Sequence, residues 1–348
     1  MYVQKNFDFK ALVNFAGWHI VWLTLWATAA TVFIEYLHSL DIYALKVPWL
    51  PVSLIGTAVA FYVGFKNNSA YDRLWEARKI WGAIVNSSRM WGSNVRAYVS
   101  TQFTSEDVSE KELHLIHKRL IYRHIAWIYT LRRQLLIPAP WEHINQNKFM
   151  EKHAKMMMNL YGVGLDIDNE TAEELNLCLM KEELAKILKY QNSATQLIDS
   201  QSQDLKELRK LNLIDDFRHM ELQKIMNELY NHQGMCERIK KFPLPRQYGS
   251  MSLIFVSIFI FLLPFGLVTE FHELGEWGAW LSIPFTVVVG WVFVVMELIG
   301  DYSENPFEGL GNDIPMRSIC RTIEIDLREM LGETDLPKPA EVKNGVLM

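Results

Sequence analysis

The sequence predicts an all-α membrane protein with four membrane-spanning helices and a large helical region outside the bilayer. Three observations carry this. Residues 15–34, 47–65, 251–269 and 277–296 contain no Asp, Glu, Lys or Arg, and each is close to the roughly 20 residues that a spanning helix requires. The long region between the second and third segments repeats apolar residues every three or four positions, which is the helical period. No run alternates apolar and polar residues as a half-buried strand does.

Taken in order, the chain opens with MYVQKNFDFK, which carries a charge on each side of Phe9. The apolar run after it is too long for a signal-peptide core and has no obvious cleavage site, so it reads as a retained first span. Aromatic residues suited to the membrane interface, among them Trp18, Tyr36, Trp49, Trp277 and Trp280, flank the spans.

The second span, VPWLPVSLIGTAVAFYVGFK, runs straight into NNSAYDRLWEARKIWG. The first part is apolar and the second is amphipathic and charged, so one continuous helix would cross the membrane and leave it. Ser53, Thr57, Phe61 and Phe65 share one face at helical spacing. Such a stripe is either a packing surface or the wall of a pore. Below it, Asp72 and Glu76 sit among Arg73, Arg78 and Lys79, as surface pairs or as a charged ring.

Residues 113–136, 173–190 and 205–239 read as amphipathic helices, with breaks at Pro138, Pro140, Pro243 and Pro245. Residues 151–170 are less regular and read as a loop with a short helix. His117 and His124 lie seven apart among Arg and Lys and read as a solvated face. Pro264 and Pro284 fall inside the third and fourth spans, where kinks are tolerated.

The fourth span ends in MELIGDYSENPFEGLGNDIP. Glu297 and Asp301 are one turn apart on one face. Asp301, Glu304, Asn305 and Asp313 then crowd a loop whose oxygen donors would suit a hard cation such as calcium, although the spacing is not that of an EF-hand. Residues 317–331 read as a further amphipathic helix. Residues 333–348 read as a tail that is loose or held by a partner surface.

Composition narrows the function. The chain has 348 residues, 50% hydrophobic and 22% charged, with a mean hydropathy of +0.01, an average over two unlike parts. A net charge of −5 argues against nucleic-acid binding. Cys178, Cys236 and Cys320 lie far apart, which argues against a disulfide framework or a thiolate zinc site. HExxH, GxSxG, P-loop and dinucleotide patterns are absent, so no enzyme is indicated. The ends of the middle region near the membrane are basic (Lys66, Arg73, Arg78, Lys79 and Lys240, Lys241, Arg246), whereas the two short connections hold one lysine between them. The positive-inside rule then puts both termini and the middle region in the cytoplasm.

The stretches SLIGTAVAFYVGFKNNSAYDRLWEARKIWG, QGMCERIKKFPLPRQYG and ENPFEGLGNDIP, in this order, resemble the bestrophins, and specifically their bacterial members. The resemblance covers most of the chain and is weakest around residues 147–205, where this chain is longer. It implies a homopentameric ion channel with one central pore, in a bacterial inner membrane. It places a hydrophobic neck at Thr57, Phe61 and Phe65, the stripe already marked by spacing, with Thr57 departing from a bulky apolar residue. It places a second, cytoplasmic constriction at Met220, with Phe217 as the alternative. Animal members hold calcium in an aspartate-rich loop, to which Asn305 and Asp313 correspond. Here the aspartate run is replaced by EGLGND, which argues against calcium activation, and no cofactor is required.

The expected organisation is therefore residues 1–66 as spans one and two, 67–250 as a cytoplasmic helical domain, 251–300 as spans three and four, and 301–348 as acidic loop, amphipathic helix and tail. The expected function is passive conduction of chloride and other monovalent anions, because no acidic residue lies on the neck face. A monovalent cation (sodium) channel of the same fold, a membrane-anchored interaction protein and a carrier are the alternatives. The stripe distinguishes a channel from a scaffold, and the lack of an inverted repeat argues against a carrier.

Overall fold

The computed structural model describes residues 1–5, 9–40, 47–105, 107–161, 167–275 and 277–348. Residues 41–46 and 276, in the two short connections between spans, and 162–166, in the expected loop, lie outside these residues. Two compact units are present. One comprises Met1–Val3, Leu74–Phe242 and Pro306–Met348, and the other comprises Gln4–Arg73 and Pro243–Asn305. Four helices among the described residues are long and apolar enough to cross a membrane.

In the apolar unit, a short π-helical stretch at Val13–Gly17 leads into α1, Trp18–Ser39. The next helix, α2, runs unbroken from Trp49 to Tyr98, 50 residues, or about 75 Å at the helical rise. Its first half belongs to this unit and its second half to the other. Leu23, Val52, Val59, Val63, Val256, Phe259, Ile260 and Leu263 form the core of the apolar unit. Gly56 permits close helix packing there, since a Cβ at that position would lie 2.6 Å from the Phe259 ring.

The helices of the other unit begin and end where local chemistry favours it. α3, Glu110–Leu135, opens on a capping box: the Ser109 hydroxyl accepts from the Glu112 N–H while the Glu112 carboxylate accepts from the Ser109 N–H. Acidic residues fill its first turn and Arg132 and Arg133 its last, complementing the helix dipole. α4 (Lys148–Tyr161), α5 (Ile167–Cys178), α6 (Lys181–Ile187) and α7 (Ser193–Lys210) follow. α8, Asp216–Lys241, is capped by Asp215, which accepts from the Arg218 N–H. Around the buried middle of α3, residues such as Trp81, Trp91, Leu120, Ile125, Trp127, Leu197, Leu222 and Leu327 form one core.

Back in the apolar unit, α9 (Arg246–His272) and α10 (Gly278–Asp301) remain helical through Pro264 and Pro284. Pro264 has no N–H to give the Ile260 carbonyl. The Trp26 indole N–H donates to that carbonyl instead, at 3.3 Å, so the proline leaves no unmet acceptor there. In the helical unit, α11, Met316–Met330, ends the helical order.

Five expectations change. Residues 148–161 form a full helix rather than a loop with a short one. The stretch 173–190 is split between α5 and α6, and 205–239 between α7 and α8. The tail is held by the chain's own N-terminus: the Met1 amine donates to the Leu347 carbonyl at 2.6 Å and the Leu347 N–H to the Met1 carbonyl at 2.8 Å. His117 and His124 do not form a solvated face. His117 bonds the Val99 carbonyl at 2.8 Å, and His124 is buried between Trp91 and Trp127. The arginines that suggested solvent are themselves matched from other helices: Arg123 pairs with Glu183 and Asp204.

Candidate functional site

Thr57, Phe61 and Phe65 occupy one stripe of α2, four residues apart, and all three are exposed. Phe61 is 66% exposed and Phe65 65%. The other face of the same helix is buried through Val52, Gly56, Val59, Val63 and Lys66. The Thr57 hydroxyl donates to the Ser53 carbonyl at 2.9 Å and the Ser53 hydroxyl to the Leu50 carbonyl at 2.8 Å. Both hydroxyl hydrogens are thus spent on the helix itself. Along this face the apolar character ends at Asn68, whose amide donates to Asp72 at 3.4 Å.

Lys66 fixes which way the stripe points. It is 1% exposed, and its ammonium meets Glu297 Oε1 on α10 at 2.5 Å. The Ser252 hydroxyl of α9 donates to the same oxygen at 2.8 Å. Beside it, the Asn67 amide donates to the Met296 carbonyl at 2.8 Å. Gly300 makes room for this contact, because a Cβ there would lie 2.1 Å from Asn67 Oδ1. Lys66 follows Phe65 by one residue, a turn of about 100° around the axis. Locking Lys66 and Asn67 to α10 therefore holds Phe61 and Phe65 away from their own unit's core.

This latch was not legible in the sequence. Lys66 reads there as the first cytoplasmic charge and Glu297 as an acid sharing a face with Asp301. The available signal was a lone carboxylate inside an otherwise apolar span, which demands a partner.

In the helical unit, Met220 and Phe217 both lie exposed on α8, at 61% and 80%. Arg218, between them, anchors the start of α8. Its guanidinium donates to the Tyr98 carbonyl at 3.1 Å, the Ser100 hydroxyl at 3.0 Å and the Gln102 side chain at 2.7 Å, and it lies over the Phe103 ring.

Asn305 and Asp313 belong to different units. Asn305 is buried, and its side-chain amide makes no hydrogen bond. Asp313 accepts the backbone N–H groups of Phe307, Gly309 and Ile314 at 3.0, 2.7 and 2.7 Å. These bonds support a loop in which Phe307 and Gly309 both have positive φ, 72° and 83°. Burial nevertheless holds the Asp313 carboxyl above its usual range, against the pull of those amides. Nearby, Lys240 pairs with Glu142 and donates to the Phe307 carbonyl at 3.3 Å. Burial pushes Glu142 up to about 7 despite the Lys240 charge.

A profile of the family described as "Bacterial/Fungal Bestrophin protein" matches residues 17–329. The chain belongs to this bestrophin family. Among its relatives, the "Voltage-dependent anion channel-forming protein YneE" of Escherichia coli K12 is 27% identical over 84% of this chain and 80% of its own length. The "Voltage-dependent anion channel-forming protein RSc3414" of Ralstonia nicotianae is 26% identical over 90% of each. The crystal structure of a bacterial bestrophin homologue from Klebsiella pneumoniae superposes with a TM-score of 0.72 at 22% identity, over 91% of this chain and 98% of that one. The helical bestrophin fold, with four membrane-length helices among the described residues, is therefore established for this chain.

Proposed function

We propose that this bestrophin is a passive anion channel, assembled as a homopentamer in a bacterial inner membrane with both termini cytoplasmic. The observation that carries the reading is the outward stripe of Thr57, Phe61 and Phe65, set on a helix whose opposite face is held by the buried Lys66–Glu297 pair. What sets this stripe apart from the lipid-suited exposed side chains of α9 and α10, such as Phe261 and Phe285, is that it carries Ser53 and Thr57 and runs on into a charged helix. Five copies around an axis would turn Phe61 and Phe65 into stacked rings, a constriction that gates by wetting and dewetting. Cyclic closure also gives every copy the same contact.

Met220 forms the second constriction on the cytoplasmic side. Residues 1–66 and 251–300 are the membrane part, and 67–250 and 301–348 the cytoplasmic part. Anion passage is favoured over cation passage because Glu297, a carboxylate inside the fourth span, is buried against Lys66 rather than facing the path. The anion-channel names of the Escherichia coli and Ralstonia relatives support the same choice. Channel opening is independent of calcium, since Asp313 serves three backbone amides.

The test is the reversal potential of purified protein in a planar bilayer under a potassium chloride gradient, with the mass of the same preparation measured by light scattering. Pentamers whose current reverses near the chloride equilibrium potential bear out the proposal. Reversal near the potassium potential would replace it with the cation channel. A non-conducting monomer would leave an anchored interaction protein.

A further inference from the structure

We infer that the bestrophin chain carries a transition-metal site, suited to zinc, where the first and third membrane helices end. Its ligands are Glu35 and His38 of α1 and His272 of α9. One donor atom from each side chain lies within 4.8 Å of the others.

Glu35 Oε1 is the centre of the cluster. It lies 3.5 Å from Nδ1 of His272 and 3.8 Å from Nδ1 of His38. Both distances exceed those of a charge-assisted hydrogen bond, about 2.7–2.9 Å, and Glu35 Oε1, although buried, accepts no hydrogen bond. They come close to the spacing of two ligands on one tetrahedral ion. Zinc bonds of about 2.0–2.1 Å put neighbouring ligand atoms roughly 3.3 Å apart. The two imidazoles are tilted to one another with ring centroids 4.9 Å apart.

Local structure favours a cation here. Glu35 and His38 are three residues apart and so point to the same side of α1. Ser39 ends α1 and His272 ends α9, so two helix C-termini direct their negative dipole ends towards the cluster. Two imidazoles and one carboxylate form a borderline donor set that takes zinc, cobalt or nickel, whereas calcium and magnesium require oxygen ligands. The His272 side chain is 46% exposed, leaving a route in and a fourth position for water, as in three-ligand zinc sites. A bound ion would tie the first span to the third, neither of which carries the stripe. This site stands independently of the proposed conduction.

The experiment uses the full chain, purified without a histidine tag, stripped with chelator and reconstituted in nanodiscs. It is titrated with cobalt, read by absorption, and then with zinc, read by calorimetry. The expected result is one ion per chain, a tetrahedral cobalt spectrum that zinc abolishes, and a zinc-dependent rise in melting temperature. His272→Ala should weaken binding at least tenfold, and His38→Ala with His272→Ala should remove both binding and the thermal shift while the size-exclusion profile stays that of the parent. No uptake by the parent overturns the inference. So does equal zinc binding by parent and double variant, which would put the metal elsewhere.

Discussion

His124 shows how far a single residue can depart from the pattern around it. Its neighbours Arg123, Arg132 and Arg133 suggest solvent, yet it is buried. The Ser88 hydroxyl donates to the Ile84 carbonyl at 2.7 Å, so at 2.9 Å it must accept from His124 Nε2–H. Burial pulls its pKa down to about 3 from an ordinary 6.5, which keeps the ring neutral at pH 7 with its proton on Nε2. Because the folded value is the lower one, the unfolded chain binds the proton first as pH falls. Stability is complete above about pH 6.5 and declines towards pH 3. At pH 5 this group alone should cost about 2 kcal/mol relative to neutral pH. His124→Gln keeps a donor for Ser88 and should flatten the fall in melting temperature between pH 7.5 and pH 5. An unchanged pH slope in that variant would show that His124 is not the group responsible.

At the scale of elements, α2 combines what the sequence discloses with what it hides. The apolar run followed by a charged amphipathic run predicts one long helix, and the four-residue spacing of Thr57, Phe61 and Phe65 predicts their common face, because both depend only on local periodicity. The partners that hold the face lie far along the chain, on α9 and α10, and no local pattern announces them. The same holds for Trp26 covering the carbonyl freed by Pro264, and for the two helices, α6 and α7, whose side chains meet Arg123. Within α2, Lys66→Met should leave the Glu297 carboxylate buried and uncompensated, a loss of about 3–5 kcal/mol. Replacing both, Lys66→Met with Glu297→Met, removes the stranded charge and should recover most of that loss. Thermal unfolding in detergent compares the two variants. If the double variant is no more stable than the single one, the pair is not the latch described here.

For the whole molecule, the membrane-length helices and helical remainder were legible because hydrophobic runs and helical periods survive without knowledge of contacts. The tail was not, since its partner is the first residues of the same chain. The central claim is that Phe61 and Phe65 from several copies line a dewetting constriction, where the barrier to ions is dehydration rather than charge. Alanine shortens both side chains and preserves the helix. The decisive measurement is the macroscopic current of Phe61→Ala with Phe65→Ala in planar bilayers, compared with the parent at equal protein and confirmed equal assembly. The account predicts a larger current at an unchanged anion-selective reversal potential. A double variant that assembles normally and conducts no differently from the parent would contradict it, making the stripe a packing surface and placing the pore elsewhere.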